Sequence, residues 1–536
     1  MSTDFFDTRV PTANDCVLRN LLERWDRDRP EKTFARFADG SSWTYAQTLA
    51  EVRKTAAGLQ ALGVGQGDHV VSWLPNGPDA IRVWFAINYL GAVCVPINLA
   101  YRGKILEHII DNSDARVMVA HGDLVGRLAG VDTARLETIV CLKGAIDGLS
   151  GLRLRDESAL DGDPAALEAP SRPIMPWDLQ CIMYTSGTTG PSKGVRSSYV
   201  HLYSVSAEPY SFMSSDDRYL VNLPLFHVGG TVSTYVALIR GGSIAVVDAF
   251  SASTFWEVIR ETGATAATLL GSMTPLISNG RGGSADTSLR VALMIPLVED
   301  ARAFGERFGC EIYTLFNMTE ISAPIVSKVY PEPLGTCGRL REGNFARIVD
   351  ANDCEVAPGE VGELVVRADR PWAVSDGYHK DDAATARAWR NGWFHTGDAF
   401  RQDQHGNFFF VDRMKDAIRR RGENISSFEV EAEVSAHPGV REAAVVGVRD
   451  GIGEEEVMAI VVVGDDHAFD PVEFIEFLTP RLPHFMVPRY VRIVDDLPRT
   501  PTQKVQKNLL RDQGVTEQTW DREAHGIRLK RQKLGA

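Results

Sequence analysis

Residues 184–195 constrain this chain more than any other segment. They place small hydroxyl residues and glycines between a short apolar, strand-like run (residues 181–183) and Lys193. Glycines let a backbone approach a ligand closely and reach positive φ. Hydroxyls and free backbone N–H groups can then line a concave anion site, to which the lysine adds a mobile positive charge. The segment therefore predicts a polyphosphate-holding loop that differs from the common G-x-x-x-x-G-K-[ST] loop. The alternative, a flexible Ser/Thr/Gly linker, is disfavoured because linkers rarely end in a single Lys-Gly-Val.

Length and composition describe an ordinary globular enzyme of more than one domain. The 536 residues can bury ample core. We expect no membrane span, because no apolar run reaches about 18 residues, and no signal peptide, because the N-terminus has an early acid and no apolar stretch. The net charge of −14 argues against a nucleic-acid-binding surface. Seven scattered cysteines predict reduced thiols and a cytoplasmic location.

The order of predicted elements indicates an α/β fold. Residues 44–63 carry apolar side chains at helical spacing, residues 68–74 and 92–97 read as strands, and residues 78–90 read as a helix between them. Such alternation implies parallel sheets covered by helices. After about residue 411 the pattern changes to a compact α+β unit of small-domain size.

Residues 184–195 are also the most recognisable motif of the adenylate-forming superfamily, which includes acyl-CoA synthetases, peptide-synthetase adenylation domains and luciferases. The chain resembles this superfamily from about Cys16 to Arg511. The resemblance implies a large nucleotide- and acyl-binding domain (1–411), a hinge (412–415) and a small mobile α+β domain (416–536) with a catalytic lysine. Within the superfamily, the acyl-CoA ligase branch is the most similar, with a texture like that of ligases for carnitine-type, alicyclic and terpenoid acids.

The resemblance assigns roles around the nucleotide. The phosphate loop would hold ATP through Thr185, Ser186, Gly187, Thr188, Thr189, Gly190 and Lys193. In the run 316–320, Phe316 would stack on adenine, Thr319 would touch the α-phosphate and Glu320 would hold Mg²⁺, as a carboxylate oxygen suits a hard cation. Asp398 would accept hydrogen bonds from the ribose hydroxyls, and Arg413 would reach the same ribose.

Three further residues are implied for catalysis and thiol transfer. Lys504 would bridge the substrate carboxylate and the α-phosphate, although Gln503 replaces the glycine that usually precedes it. His227 would lie between the acyl pocket and the pantetheine tunnel of CoA, as a gate rather than a proven base. Gly422 would let the pantetheine arm pass close to the backbone.

Two places depart from the family pattern. The loop expected to lie against adenine, usually Gly-Gly-Ala-Pro-Leu, reads Leu293-Met294-Ile295-Pro296-Leu297, and Asn317 replaces a glycine. Large side chains in a packed slot must displace something. One hypothesis is that the chain performs only the thioesterification of a preformed acyl adenylate, supplied by a separate adenylating enzyme. The other is a repacked pocket with both steps intact.

The leading prediction is an acyl-CoA ligase that forms acyl-CoA, AMP and diphosphate from an acid, ATP and CoA. The alternatives are the thioesterification-only ligase, an enzyme that loads a carrier protein, luciferase-type oxygenation and a nucleotide sensor. Small and apolar residues near 226–235, 293–297 and 317–324 favour an apolar and bulky carboxylic acid as substrate.

Overall fold

The computed structural model describes the following residues: 7–144, 149, 151–185, 191–271, 273–278, 287–298, 300–413, 418–420, 423–425, 427–449, 455–464, 469–498, 505 and 507–529.

Helices and strands alternate through the first part of the chain. The strands are β1 (Thr33–Phe37), β2 (Ser42–Thr44), β3 (His69–Trp73), β4 (Val93–Pro96), β5 (Val117–His121), β6 (Thr138–Leu142), β7 (Arg153–Asp156), β8 (Leu179–Thr185), β9 (Lys193–Ser198), β10 (Arg218–Val221), β11 (Ser243–Val246), β12 (Ala266–Leu270), β13 (Val291–Ile295) and β14 (Glu311–Tyr313). The helices are α1 (Ala13–Cys16), α2 (Leu18–Asp28), α3 (Tyr45–Ala61), α4 (Pro78–Tyr89), α5 (Gly103–Asn112), α6 (Gly122–Val125), α7 (Tyr199–Ser206), α8 (Val228–Arg240), α9 (Phe255–Thr262), α10 (Met273–Ser278) and α11 (Ala301–Phe308).

Local sequence signals account for the early elements. The helix predicted over 44–63 is α3, and it begins where Thr44 and Gln47 cap each other: the Gln47 N–H donates to the Thr44 hydroxyl, and the Thr44 N–H donates to the Gln47 side chain. Helix α4 has Pro78 at its first position, where a missing N–H costs nothing. The predicted strands at 68–74 and 92–97 are β3 and β4.

Two seven-stranded sheets form the bulk of this part. One has the order β14-β13-β12-β10-β11-β1-β2 and the other the order β7-β6-β5-β3-β4-β8-β9. Pairing is parallel throughout except for β1 with β2 and β8 with β9. Because both faces are covered, the inner strands read as continuous apolar runs. The carboxyl ends of β10, β12, β13 and β14 meet at one sheet edge.

A third, antiparallel sheet follows, with the order β15-β16-β17-β22-β21-β19-β18 and β20 beside β21. Its strands and the one helix described within this stretch are β15 (Leu315–Met318), β16 (Ser322–Val326), β17 (Gly338–Leu340), β18 (Asn344–Val349), β19 (Gly362–Ala368), α12 (Asp382–Ala388), β20 (Trp389–Arg390), β21 (Trp393–Gln402) and β22 (Asn407–Arg413).

The last part of the chain forms its own sheet, β25-β26-β27-β28, next to a short hairpin. Its elements are β23 (Ile418–Arg420), β24 (Glu423–Ile425), α13 (Ser427–Ser435), β25 (Val440–Arg449), β26 (Glu455–Val463), α14 (Pro471–Leu478), β27 (Tyr490–Ile493), α15 (Lys507–Asp512) and β28 (Thr519–Asp521). This unit packs on α5, where Ile105 and Ile109 share one apolar cluster with Val430 and Met486. The predicted α/β class, with parallel-rich sheets and a smaller α+β unit, is confirmed.

Two further expectations concern thiols and membranes. All seven cysteines lie in the described residues and are free thiols. Among the described helices, none combines the length and the apolar composition that a bilayer crossing requires.

Candidate active site

A cavity of about 660 Å³ opens at the carboxyl edge of β10, β12, β13 and β14. This volume lies within the range of about 300–1,000 Å³ that small-molecule sites occupy. The last residue of β8, the first of β9, the run 316–320 and β21 also contribute to its wall. Ligands of open α/β sheets bind outside the carboxyl ends of the strands. The cavity is therefore the candidate active site.

The loop after β10 carries one wall of the cavity and is fixed from behind by Asn76. The Asn76 amide donates to the Leu223 carbonyl at 3.0 Å and to the Val247 carbonyl at 3.1 Å, and its Oδ1 accepts the Leu225 N–H at 2.9 Å. Helix α8 then begins against this loop without space for a side chain, since a Cβ on Gly230 would lie 2.3 Å from the Pro224 carbonyl oxygen. The loop is held rigidly.

His227 stands at the N-cap of α8, at the mouth of the cavity. Its Nε2 lies 3.2 Å from Oε2 of Glu423 in the small C-terminal unit, and its ring contacts Phe226 at a centroid distance of 4.7 Å. Arg419 and Glu423 of that unit also line the cavity. In this arrangement the small unit therefore forms part of the wall.

Glu320 is buried in the wall, and its carboxylate is oriented by Tyr378. The Tyr378 hydroxyl donates to Glu320 Oε1 at 3.0 Å, while the Lys193 ammonium lies 4.9 Å from the centre of the Tyr378 ring. Burial and the charge of Glu320 raise the pKa of Tyr378, so its hydroxyl stays protonated as a donor. Carboxylate, ammonium and phenol thus meet at one point of the cavity.

Phe316, Asn317 and Thr319 continue the same wall. Phe316 is braced edge to face by Phe400, with ring centroids 4.8 Å apart, so one aromatic face has a fixed position. Asn317 lies in β15 and is not among the residues with positive φ. The position occupied by Asn317 therefore does not require the left-handed conformation that favours glycine.

Asp398 lines the cavity from β21 and is 4 % exposed. Its cross-strand partner in the register of β21 and β22 is Arg413. The two residues that the sequence assigns to one ribose are thus neighbours on adjacent strands.

The structure corrects the interpretation of residues 293–295. Leu293 and Met294 belong to β13 and are buried in two different apolar clusters, one on each face of the sheet. Only Ile295, followed by Pro296, reaches the cavity. The argument that three large side chains crowd the nucleotide is therefore wrong for Leu293 and Met294, which are ordinary core residues of a doubly covered strand.

Thr185 and Lys193 are register partners in β8 and β9 and both line the cavity. Several predicted site residues lie outside the described residues. They are Ser186, Gly187, Thr188, Thr189 and Gly190 of the phosphate loop, Gly422, Lys504 and the side chain of Arg413.

Sequence reasoning missed the residues that act through distant contacts. Tyr378 meets Glu320 across 58 residues and Asn76 meets Leu225 across 149 residues, and no local pattern marks either pair. Glu423 is different, since it stands beside Gly422 in a loop that the sequence does single out.

The donor set around Glu320 fits Mg²⁺. Within the described residues no cluster of three or more His, Cys, Asp or Glu side chains forms a protein-only metal cage. Mg²⁺ is commonly held by one or two carboxylates together with substrate phosphates. A single oriented carboxylate, a lysine and the end of a phosphate loop match that arrangement.

Comparison with known proteins gives the class. The model of the AMP-binding enzyme family matches residues 22–379, and that of the AMP-binding enzyme C-terminal domain matches residues 429–504. The chain belongs to this family, as an acid–thiol ligase of the acyl-CoA synthetase type. CoA ligases of the family use ATP, Mg²⁺ and CoA.

The chain is similar to one curated CoA ligase and to two solved structures. The crotonobetaine/carnitine–CoA ligase of Salmonella typhi is 31 % identical over 493 residues, which cover 87 % of this chain and 93 % of that protein. The o-succinylbenzoate CoA synthetase MenE of Bacillus subtilis superposes with a TM-score of 0.78 at 24 % identity, covering 92 % of this chain and 98 % of that one. ATP-bound MatB of Rhodopseudomonas palustris gives a TM-score of 0.64 at 27 % identity, with the same coverage of both chains.

Proposed function

We propose that this chain converts a carboxylic acid, ATP and CoA to acyl-CoA, AMP and diphosphate through an acyl adenylate. One observation carries the proposal: a single cavity combines the residues expected to hold a nucleotide with a histidine–glutamate contact at its mouth. Glu320 and Asp398 lie on the nucleotide side, and His227 and Glu423 lie at the opening. One cavity can thus serve both half-reactions.

In the first half-reaction, the wall residues would bind and orient ATP. Phe316 offers adenine a braced aromatic face, and Asp398 offers the ribose hydroxyls its carboxyl oxygens as acceptors. Lys193 and Thr319 would contact phosphate oxygens, and Glu320 would hold Mg²⁺. When bound, that ion neutralises phosphate charge.

Lys504 would balance the negative charge that develops as the substrate carboxylate attacks the α-phosphate. The stabilisation of developing charge is usually the largest catalytic contribution of such fixed groups. We therefore assign Lys504 to adenylation, and the residues at the mouth of the cavity to the second half-reaction.

In the second half-reaction, the thiol of CoA would enter past His227. The contact with Glu423 fixes the imidazole at the mouth, and the backbone next to Glu423, at Gly422, would flank the pantetheine arm. We infer that the described arrangement is the thiol-transfer pose, because Arg419 and Glu423 of the hairpin β23–β24 line the cavity. The proposed division is 1–411, a hinge at 412–415 and 416–536, and it is supported by separate sheets before and after the hinge.

The acid itself would be uncharged beyond its carboxyl group and largely apolar. Where the cavity meets the sheet edge, its wall carries apolar and aromatic groups such as Val228, Phe250, Leu270 and Met273. The small and apolar residues near 226–235 and 317–324 support a bulky carboxylic acid over a short one.

A thioesterification-only ligase, dependent on a separate adenylating enzyme, has lost part of its support. That hypothesis depended on large residues at 293–295 facing adenine, and two of the three are core residues.

The loading of a carrier protein remains the other alternative, since the mouth of the cavity would admit any pantetheine thiol.

The test is the formation of thioester by mass spectrometry. Purified protein is supplied with Mg·ATP, a library of free acids, and either CoA or a holo-carrier protein as acceptor. We expect acyl-CoA and an equal amount of AMP, with product lost in Glu320→Gln but retained in Glu476→Gln, an exposed glutamate of α14. Thioester formed only on the carrier protein would contradict the proposal, as would acyl-CoA formed without ATP consumption.

A further inference from the structure

Several polar side chains meet at the inner wall of the cavity, around Thr268 of β12. The Asn222 amide nitrogen donates to the Thr268 carbonyl at 3.0 Å, and the Tyr219 hydroxyl lies 2.9 Å from Thr268 Oγ1. Tyr210 stands beside Tyr219, with ring centroids 6.0 Å apart. Asn222, Thr268 and Tyr210 all line the cavity and all are at least 96 % buried. This cluster, which we call the polar floor, is an unusual lining for a wholly apolar substrate.

The polar floor presents an unused acceptor. The bond to the Thr268 carbonyl fixes which end of the Asn222 amide is the nitrogen, since the opposite orientation would bring two oxygens together. Asn222 Oδ1 is consequently the free end, and it accepts no hydrogen bond from any described residue. A buried acceptor left unpaired carries a desolvation cost, so a ligand that donates a hydrogen bond there would remove that cost.

Among the described residues, the same wall carries no acidic or basic side chain. The acidic and basic side chains that line the described part of the cavity are Lys193, Glu320, Asp398, Arg419 and Glu423, besides two histidines. All five belong to the nucleotide side or to the mouth. A cation or a second carboxylate buried at the polar floor would therefore lie there without an ionic partner, which is costly.

We propose that the substrate acid carries an uncharged hydrogen-bond donor, of the hydroxyl type, at the end remote from its carboxyl group, and that Asn222 recognises it. This inference rests on the proposed function and names the substrate class. It replaces an entirely apolar acid by one with an apolar body and a polar end. Sites built to hydrogen-bond a substrate hydroxyl discriminate strongly against the analogue that lacks it, because the protein group is then left unpaired.

The first test uses the wild-type protein and pairs of acids that differ only in a remote hydroxyl: para-hydroxybenzoate with benzoate, terminally hydroxylated hexanoate with hexanoate, and ring-hydroxylated cyclohexanecarboxylate with its parent. Acyl-CoA formation gives kcat/KM for each acid. We expect the hydroxylated member to be favoured by roughly 10-fold or more in the skeletons that are turned over. Equal or better turnover of the parent acids would overturn the inference and leave the proposed function standing, whereas no acyl-CoA from any acid would overturn the proposed function.

The second test assigns the recognition to Asn222. Asn222→Leu keeps the branched shape of four side-chain heavy atoms, in a somewhat larger volume, but removes the acceptor, so the preference for the hydroxylated acid should disappear or reverse. Asn98→Leu is the matched control: Asn98 also lines the cavity, but its Oδ1 already accepts the Ala100 N–H at 2.9 Å. A preference that survives in Asn222→Leu would overturn the assignment. Asn222→Ala, which is smaller and has no side-chain acceptor, answers the same question if the leucine variant does not fold.

Discussion

At the scale of single residues, Tyr378 determines how Glu320 presents its carboxylate. We predict that Tyr378→Phe, which keeps the ring near Lys193 but removes the hydrogen bond of 3.0 Å, lowers the adenylation rate about 10-fold. It should also raise the Mg²⁺ concentration needed for half-maximal rate. The measurement is diphosphate release at varied Mg²⁺. Tyr330→Phe is the control, since that hydroxyl bonds only the Cys310 carbonyl far from the cavity among the described residues. An unchanged Mg²⁺ requirement in Tyr378→Phe would contradict this role.

The contact between His227 and Glu423 predicts a split between the half-reactions. Glu423→Gln weakens the fixation of the imidazole, so the transfer of a preformed acyl adenylate to CoA should slow by roughly 10-fold while diphosphate release is little changed. Stopped-flow or quench measurements of each half-reaction separate the two effects. Equal losses in both would show that Glu423 acts on the nucleotide site instead.

At the scale of elements, the loop after β10 depends on Asn76. Asn76→Ala removes three hydrogen bonds, and we predict a lower kcat/KM together with a loss of about 2–4 kcal/mol in the free energy of unfolding. Asn88→Ala is the matched control, because Asn88 is equally buried and donates to the Ala92 and Gln180 carbonyls away from that loop. Both variants should be destabilised, and only Asn76→Ala should lose activity beyond its loss of folded protein.

The contact of α13 with the phosphate-loop strand predicts a pH dependence. Ser192, just before β9, donates to Glu429 Oε1 at 2.5 Å, and burial raises the pKa of Glu429 from 4.5 to about 7 against the opposing effect of the Ser192 hydrogen bonds. Because burial raises the pKa, the burial of Glu429 in this interface is fully favourable below about pH 4.5, and that contribution is lost as the pH rises through about 7. Tyr101, also buried beside Glu429, has its pKa raised and remains neutral in this range.

The thioesterification rate of the wild type, divided by that of Glu429→Gln, should therefore fall between pH 6 and pH 8, since glutamine stays neutral. The ratio cancels the ionisation of the CoA thiol, which affects both proteins alike. A ratio that does not change with pH would contradict the prediction. So would the same decline in the ratio of wild type to Glu476→Gln, the exposed control.

The elements also show what sequence alone can reach. The sequence predicts that Glu320, Asp398 and Lys193 belong to one site, because each lies in a short motif whose residue types indicate its chemistry. Tyr378 and Asn76 were not, because their partners are distant in sequence. Leu293 and Met294 were misread because an apolar run in a doubly covered parallel strand looks the same as an apolar loop. The pairing of β13 with β12 and β14 shows that residues 293–295 form a strand and not a loop.

At the scale of the whole molecule, the proposed function implies that the small unit changes position between the half-reactions. In the described arrangement Glu423 and Arg419 line the cavity, and an apolar cluster joins the small unit to α5. We predict that Lys504→Ala loses adenylation by at least about 100-fold but retains thioesterification of a preformed adenylate, because removal of a charge-stabilising group costs that much in the step it serves. Loss of both half-reactions in a folded Lys504→Ala protein would argue against two poses.

This one chain is proposed to perform both half-reactions, and a paired assay can separate them. One arm supplies free acids with Mg·ATP and CoA, and the other supplies the same acids as preformed acyl adenylates with CoA; acyl-CoA is measured in both. We predict product in both arms, since the described residues of the nucleotide side line the cavity and, of residues 293–295, only Ile295 faces it. Product from the adenylates alone would contradict it and would show that a separate enzyme activates the acid.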